Sequence, residues 1–334
     1  MKILIDHPNP FLLAHGGFQI QIEETKRGLE EIGLEVEWLR WWDCHQSGDI
    51  IHYFGRPNAA YIDFAHSKGM KVVISELLTG LGSRSGLARA LQKSVMCLAQ
   101  LALPNSFTSR MAWEAYTKAD ACIALTPWEA SLMTQMFGAP TPRLFVVPNG
   151  VEREFFESPK VPRESWLVCT ATVTQRKRVV ELAKAAVLAN VPVRFLGSPY
   201  SEQDPYFKEF SALSQQFPSI ILYQGSVNHR GDLARIYRQA RGFVLLSSME
   251  SLSLSALEAA ACETPLLLSD LPWARTSFDH HAWYCDPFAM PQIMARKLRE
   301  FYEASSTLAP APKPLTWNDI ALKLKEVYES VSVS

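Results

Sequence analysis

The 334-residue chain has no apolar run approaching the ~18 residues that a membrane-crossing helix needs, so no spanning segment is expected. Close cysteine pairs are also missing: Cys44, Cys97, Cys122, Cys169, Cys262 and Cys285 are scattered. That scatter argues against a disulfide framework and against zinc-site spacing, and it fits a reducing compartment. Nor is there an excess of charge of one sign. With 33 Lys and Arg against 34 Asp and Glu, the formal net charge is −1, and no broad basic field suggests a nucleic-acid partner. The opening MKILID runs straight into a strand pattern and has no signal-peptide h-region. A soluble cytoplasmic protein is expected.

What the chain does have is alternation. Apolar runs of strand length recur in the first half (KILID, EVEWLR, DIIHYF, KVVISEL, ACIAL, RLFVVP). Helix-period segments such as QIQIEETKRGLEEIG separate most of them, with Gly33 as a C-cap. The second half repeats the plan with SWLVCTATV, PVRFLG, SIILYQG, GFVLLSS and PLLLSD. Such alternation predicts βαβ units and parallel sheets covered on both faces. A polar, proline-bearing break, Glu157 to Ser165, reads as the linker, and TWNDIALKLKEVYESV as a last amphipathic helix. The expected architecture is α/β: two doubly wound domains, residues 1–157 and 158–315, facing across a cleft, then a helix over 316–334. In such sheets ligands bind beyond the carboxyl ends of the strands.

One stretch lies there. SSMESLSLSALEAAACETP holds Glu250 and Glu258 with seven residues between them, flanked by strand-like runs. Leu254, Leu257, Ala260 and Ala261 fall at helical spacing, and Ser253 or Ser255 is a suitable N-cap. Free N–H groups and the dipole at that helix start favour a phosphate. Eight residues of helix rise only ~12 Å, about the span from ribose to hexose in a nucleoside diphosphate sugar. One carboxylate could then accept from ribose hydroxyls and the other from sugar hydroxyls. On spacing alone, a solvated helix face stays open as the plainer reading.

The surrounding motifs, in order, are AHGGFQIQ, YTKADACIALTPWEASLMTQMFG, VVPNGVEREFF, TQRKRVVEL, YQGSVNHRGDLARIYRQA, the two glutamates and YCDPFAMPQIMARKL. Together they resemble the retaining glycosyltransferases of family 4, which have the GT-B fold of two Rossmann-like domains. The resemblance implies an acceptor side in the first domain, a donor side in the second, and a last helix packing back on the first. It implies that Glu258 holds the donor ribose and Glu250 contacts the donor sugar. Backbone N–H groups of Ser253, Leu254 and Ser255 would meet sugar and diphosphate. Lys177 matches the family's diphosphate-binding lysine. The arginine position five residues before it is Thr172, a departure that leaves Arg176 and Arg178 as candidates to replace it. Cations at a helix start oppose the macrodipole, an independent hint that an anion offsets them. Gly16 and Gly17 lack Cβ atoms and could let backbone approach the donor, although a plain tight turn is the alternative. His15 and Gln19 lie nearby without an assigned role. The segment Gly225, Ser226 and Val227 would lie beside the nucleobase. Many relatives have a histidine where this chain has Glu76 or Ser75, a second departure. Glu76 could bond a sugar hydroxyl, and His52 could be either structural or part of the site.

The expected reaction is transfer of a sugar from a nucleoside diphosphate sugar to a hydroxyl acceptor, with no cofactor and no metal. The alternative, raised by Thr172 and Glu76, is a non-catalytic GT-B nucleotide-binding protein that has lost turnover. In GLARALQKSVMCLAQLAL, Leu87, Leu91, Val95, Leu98 and Ala102 form one stripe, with Arg89 and Lys93 on another side. Packing against its own domain is the expectation. The alternative is peripheral contact with the inner face of a membrane, where it would meet a lipid-linked acceptor.

Overall fold

The computed structural model describes residues 1–8, 11, 16–104, 111–157, 159 and 161–332. The chain divides into two compact units, Met1–Gly150 with Trp317–Ser334, and Val151–Thr316.

In the first unit, six parallel strands are ordered β2-β1-β3-β4-β5-β6. They are β1 Lys2–Asp6, β2 Glu35–Trp38, β3 Ile50–Phe54, β4 Lys71–Ser75, β5 Ala121–Ala124 and β6 Leu144–Val146. Residues of the central strands β3 and β5 are buried throughout, because helices cover both faces of a parallel sheet. Edge strand β2 keeps exposed positions, and its Glu35 and Glu37 both pair with Lys2, at 3.0 and 2.6 Å. The C-terminal helix, Trp317–Ser332, lies against the Gly17–Glu31 helix. Trp317, at the start of that C-terminal helix, has glycine beside it at two places: a Cβ on Gly28 would stand 2.9 Å from the Trp317 carbonyl oxygen, and one on Gly150 only 2.7 Å from Trp317 Cα. Inside the unit, buried His52 of β3 links Tyr328 of that helix (2.7 Å) to Ser75 of β4 (2.7 Å).

The second unit has the parallel order β12-β11-β10-β7-β8-β9. Its strands are β7 Leu167–Thr170, β8 Val193–Leu196, β9 Ile221–Gly225, β10 Gly242–Leu245, β11 Leu266–Ser269 and β12 Trp283–Cys285. The apolar runs read from the sequence are the cores of these strands, except β12, whose three residues are too short to stand out. The strand order reverses between β7 and β10, which are neighbours, so the carboxyl ends of those two define the crevice where such sheets take ligands.

The division between the units falls at Gly150 and Val151, ahead of the stretch expected as the linker, Glu157 to Ser165. Arg163 donates to the carbonyls of Ala240 (2.6 Å) and Glu263 (2.7 Å), fastening its end to the second unit. A second expectation fails in the Gly86–Ala102 helix. Leu87, Leu91, Val95 and Leu98 are exposed, and Met96 is its buried residue. The predicted stripe therefore does not pack on its own domain. Among the described residues, no helix is long and apolar enough to cross a membrane.

Candidate functional site

In the second unit, the β7 carboxyl end leads through Thr172 and Thr174 into a 3-10 turn, Gln175–Lys177. Arg178 follows in the left-handed region (φ 53°), and the Val179–Ala189 helix begins. The neighbouring β10 leads through Ser247 and Ser248 to Glu250. The two loops are stitched together: the Ser248 N–H donates to the Arg176 carbonyl at 2.8 Å, and an Arg176 amino group donates to the Met249 carbonyl at 3.0 Å. Across the switch point, Lys177 Nζ lies 2.5 Å from Glu250 Oε1, and the Arg176 guanidinium lies 3.2 Å from Oε2. The Glu250 side chain is only 9% exposed. Burial pushes its carboxyl up, but Lys177 and Arg176 outweigh that and hold it below its ordinary value. Two cations against one carboxylate leave a local excess of positive charge.

Ser253 caps the Leu254–Ala261 helix, its hydroxyl accepting from the Ala256 N–H at 3.4 Å. Its hydroxyl also lies 3.1 Å from that of Ser255. Leu254 and Ser255 open the helix, where N–H groups lack helical acceptors. Glu258, in the second turn, is 5% exposed. Arg230 donates to Glu258 Oε1 at 2.6 Å, and the Tyr237 hydroxyl donates to Oε2 at 3.0 Å. The same Arg230 nitrogen lies 2.5 Å from Glu152. Burial raises the Glu258 carboxyl, Arg230 opposes that rise, and Glu152 adds to it. Each carboxylate oxygen has room for about two donors, so Arg230 and Tyr237 leave acceptor capacity on both.

Sequence reading missed Arg230, Tyr237 and Glu152. Arg230 did carry a signal: it opens the Arg230–Gln239 helix, and a cation there opposes the dipole just as the Arg-Lys-Arg run does.

The β8 and β9 ends complete this face of the second unit. Gly225 ends β9 at φ +73°, and its carbonyl accepts from the Gly197 N–H at 2.8 Å. Exposed Ser226 shares a hydroxyl hydrogen bond of 2.8 Å with Ser198, and Val227 is half-buried beside it. Buried polar atoms in these loops that have no hydrogen-bond partner include Thr174 Oγ1, Arg178 Nε and Arg230 Nε. Arg178 also reaches towards Glu181 (3.6 Å) and lies over the Phe288 ring at 5.3 Å. Unpartnered donors beside a surplus of cations suit a polyanionic ligand. Among the described residues, no three His, Cys, Asp or Glu groups come together as a metal site.

The remaining predicted positions belong to the first unit. Gly16 has φ 143° and precedes the Gly17–Glu31 helix, with open space where a Cβ would stand. Gln19 donates to Glu23 at 2.9 Å, and His15 lies outside the described residues. Glu76, beyond β4, is held by Arg56 through two bonds of 2.8 and 2.9 Å and by the Tyr116 hydroxyl. The Arg56 guanidinium itself lies over the Phe137 ring at 4.3 Å. His52 is wholly enclosed, and burial pulls its imidazole down to about 3.

Residues 151–312 match the family model "Glycosyl transferases group 1". The chain is similar to a D-inositol 3-phosphate glycosyltransferase of Xylanimonas cellulosilytica, 28% identical over 63% of this chain and 56% of that protein. The matched region thus spans little more than half of that relative's length. Among solved structures, sucrose-phosphate synthase from Thermosynechococcus elongatus superposes with a TM-score of 0.69 at 15% identity, covering 99% of each chain. Anabaena HepE in complex with UDP and glucose superposes with a TM-score of 0.69 at 13% identity, covering 98% of this chain and 99% of that one. At such identities the likeness establishes the fold: two Rossmann-like units of the GT-B type.

Proposed function

We propose that the chain, whose residues 151–312 match the glycosyl transferases group 1 model, is a retaining glycosyltransferase that moves a sugar from a nucleoside diphosphate sugar to a hydroxyl acceptor, with no metal ion. The observation that carries this reading is the Glu250–Lys177–Arg176 contact across the β7/β10 switch point, beside the start of a capped helix. Lys177, Arg176 and the helix N–H groups are arranged to meet a diphosphate, and Glu250 and Glu258 to accept from hydroxyls on either side of it. The neighbouring Arg178 supplies a further cation, and Gly225 to Val227 offer backbone to a base.

In this mechanism the acceptor oxygen attacks the anomeric carbon on the face from which the diphosphate leaves. The new carbon–oxygen bond forms as the bond to the β-phosphate oxygen breaks, and the acceptor proton passes to that departing oxygen. Anomeric configuration is retained. Lys177 and Arg176 stabilise the charge growing on the leaving group, the role usually worth most in such sites. Glu76, already satisfied by Arg56 and Tyr116, shapes its surroundings through Arg56 in this scheme and does not act on the sugar directly.

HepE was solved with UDP and glucose, so uridine diphosphate hexoses are the first donors to try. The test incubates the protein with a nucleotide-sugar panel and hydroxyl acceptors in excess EDTA, following the anomeric proton by NMR. Transfer or slow hydrolysis with retention supports the reading. Release of an inverted product, or dependence on added metal, contradicts it. Tight nucleotide binding with no turnover of any donor would favour a protein that has kept recognition and lost chemistry.

A further inference from the structure

We infer that the Gly86–Ala102 helix is a docking surface for an anionic lipid bilayer. This inference does not depend on the transferase reading. The helix stands on its own signals: Ser85 caps it, accepting from the Ala88 N–H at 3.3 Å. Its inward side is held by buried Met96 and by Arg89, whose guanidinium lies 4.8 Å over the Trp128 ring. At ~100° per residue, Leu87, Leu91, Val95, Leu98 and Leu101 fall within an arc of about 120° on the opposite side. These side chains are 86%, 69%, 57%, 64% and 85% exposed. A helix with its leucines towards solvent and a single methionine inward reverses the usual arrangement of a surface helix, so the outer face lacks its partner.

Charge selects the occupant. From Glu76 to Glu114 the sequence carries no other acidic residue, but it does carry Arg84, Arg89, Lys93 and Arg110. Lys93 and Arg84 are exposed. A second copy of this chain laid on the stripe would bring cation against cation with no carboxylate on the helix to offset them. Anionic headgroups meet exposed Arg84 and Lys93 favourably while the leucines sink into the acyl boundary, as interfacial helices do. Two cations within the helix and a length of 17 residues keep it in the interface and prevent it from crossing.

The experiment is vesicle sedimentation of the whole protein with phosphatidylcholine vesicles containing or lacking a third of phosphatidylglycerol, at low and at 0.5 M salt. Wild type should pellet with the anionic vesicles, at least about tenfold less with neutral ones, and less again at high salt. Leu91→Gln with Leu98→Gln should lose the binding about tenfold or more with an unchanged melting temperature, since both positions are exposed. Lys93→Gln should weaken binding to anionic vesicles only. The inference is overturned if wild type stays in the supernatant, or if the double variant binds undiminished. It is also overturned if wild type is a dimer in solution that the double variant splits.

Discussion

Replacing Arg230 with Gln should unsettle the second unit through two carboxylates at once. One guanidinium nitrogen of Arg230 lies 2.6 Å from Glu258 and 2.5 Å from Glu152, whose side chains are only 5% and 9% exposed. Glutamine can keep a hydrogen bond but not the charge, so two buried carboxylates would be left against each other. Breaking a buried pair by removing one partner costs about 3–5 kcal/mol. At about 2–4 °C per kcal/mol for a unit of this size, the transition should fall by roughly 6–20 °C. The loss should depend on pH with a definite sign. Glu258 already titrates above its ordinary value in the folded protein, and without Arg230 it should titrate higher still. Between the unfolded and folded values, the folded state then holds more protons, so stability falls as pH rises. Calorimetric unfolding at pH 5 and pH 8 is the assay, with a larger deficit at pH 8. Adding Glu258→Gln should restore part of it, a coupling expected only for groups in contact. A deficit below about 1 kcal/mol, or one equal at both pH values, would refute the reasoning.

Lys177→Gln should lower turnover about 10²- to 10³-fold if its ammonium meets the leaving phosphate, and steady-state kinetics with the active donor would show it. A loss under tenfold would remove Lys177 from that role. In the first unit, buried His52 titrates near 3 against about 6.5 when unfolded, so its contribution to stability is full above 6.5 and lost as pH falls towards 3. Unfolding at pH 5 should therefore take up about one more proton in wild type than in His52→Asn, measurable by calorimetry in buffers of different ionisation enthalpy. Equal uptake would contradict the assigned burial.

Strands were legible where burial on both faces forces a continuous apolar run, as in IIHYF of β3 and LLLS of β11. At β12 the run WYC is too short to separate from its surroundings. Local chemistry also narrowed the helix start to Ser253 or Ser255, because capping is decided within four residues, and Ser253 is the cap. Partners brought by the fold were not readable. Nothing near Glu258 in the chain announces Arg230, 28 residues earlier, or that Glu76 would be taken by Arg56 and Tyr116. The leucine stripe was visible as a pattern, but periodicity reports only that a face is apolar. Whether protein or something else covers that face is settled by what the rest of the unit places beside it, and here that side lies open.

The most direct test is a thermal-shift panel of UDP, GDP, ADP and dTDP with their common sugars, on wild type and on Glu258→Ala. The account predicts that one nucleotide stabilises wild type by about 2.7 kcal/mol at a hundred times its dissociation constant and leaves Glu258→Ala unmoved. A panel in which no nucleotide shifts wild type, or in which the variant shifts equally, would contradict a donor site at the second unit's switch point.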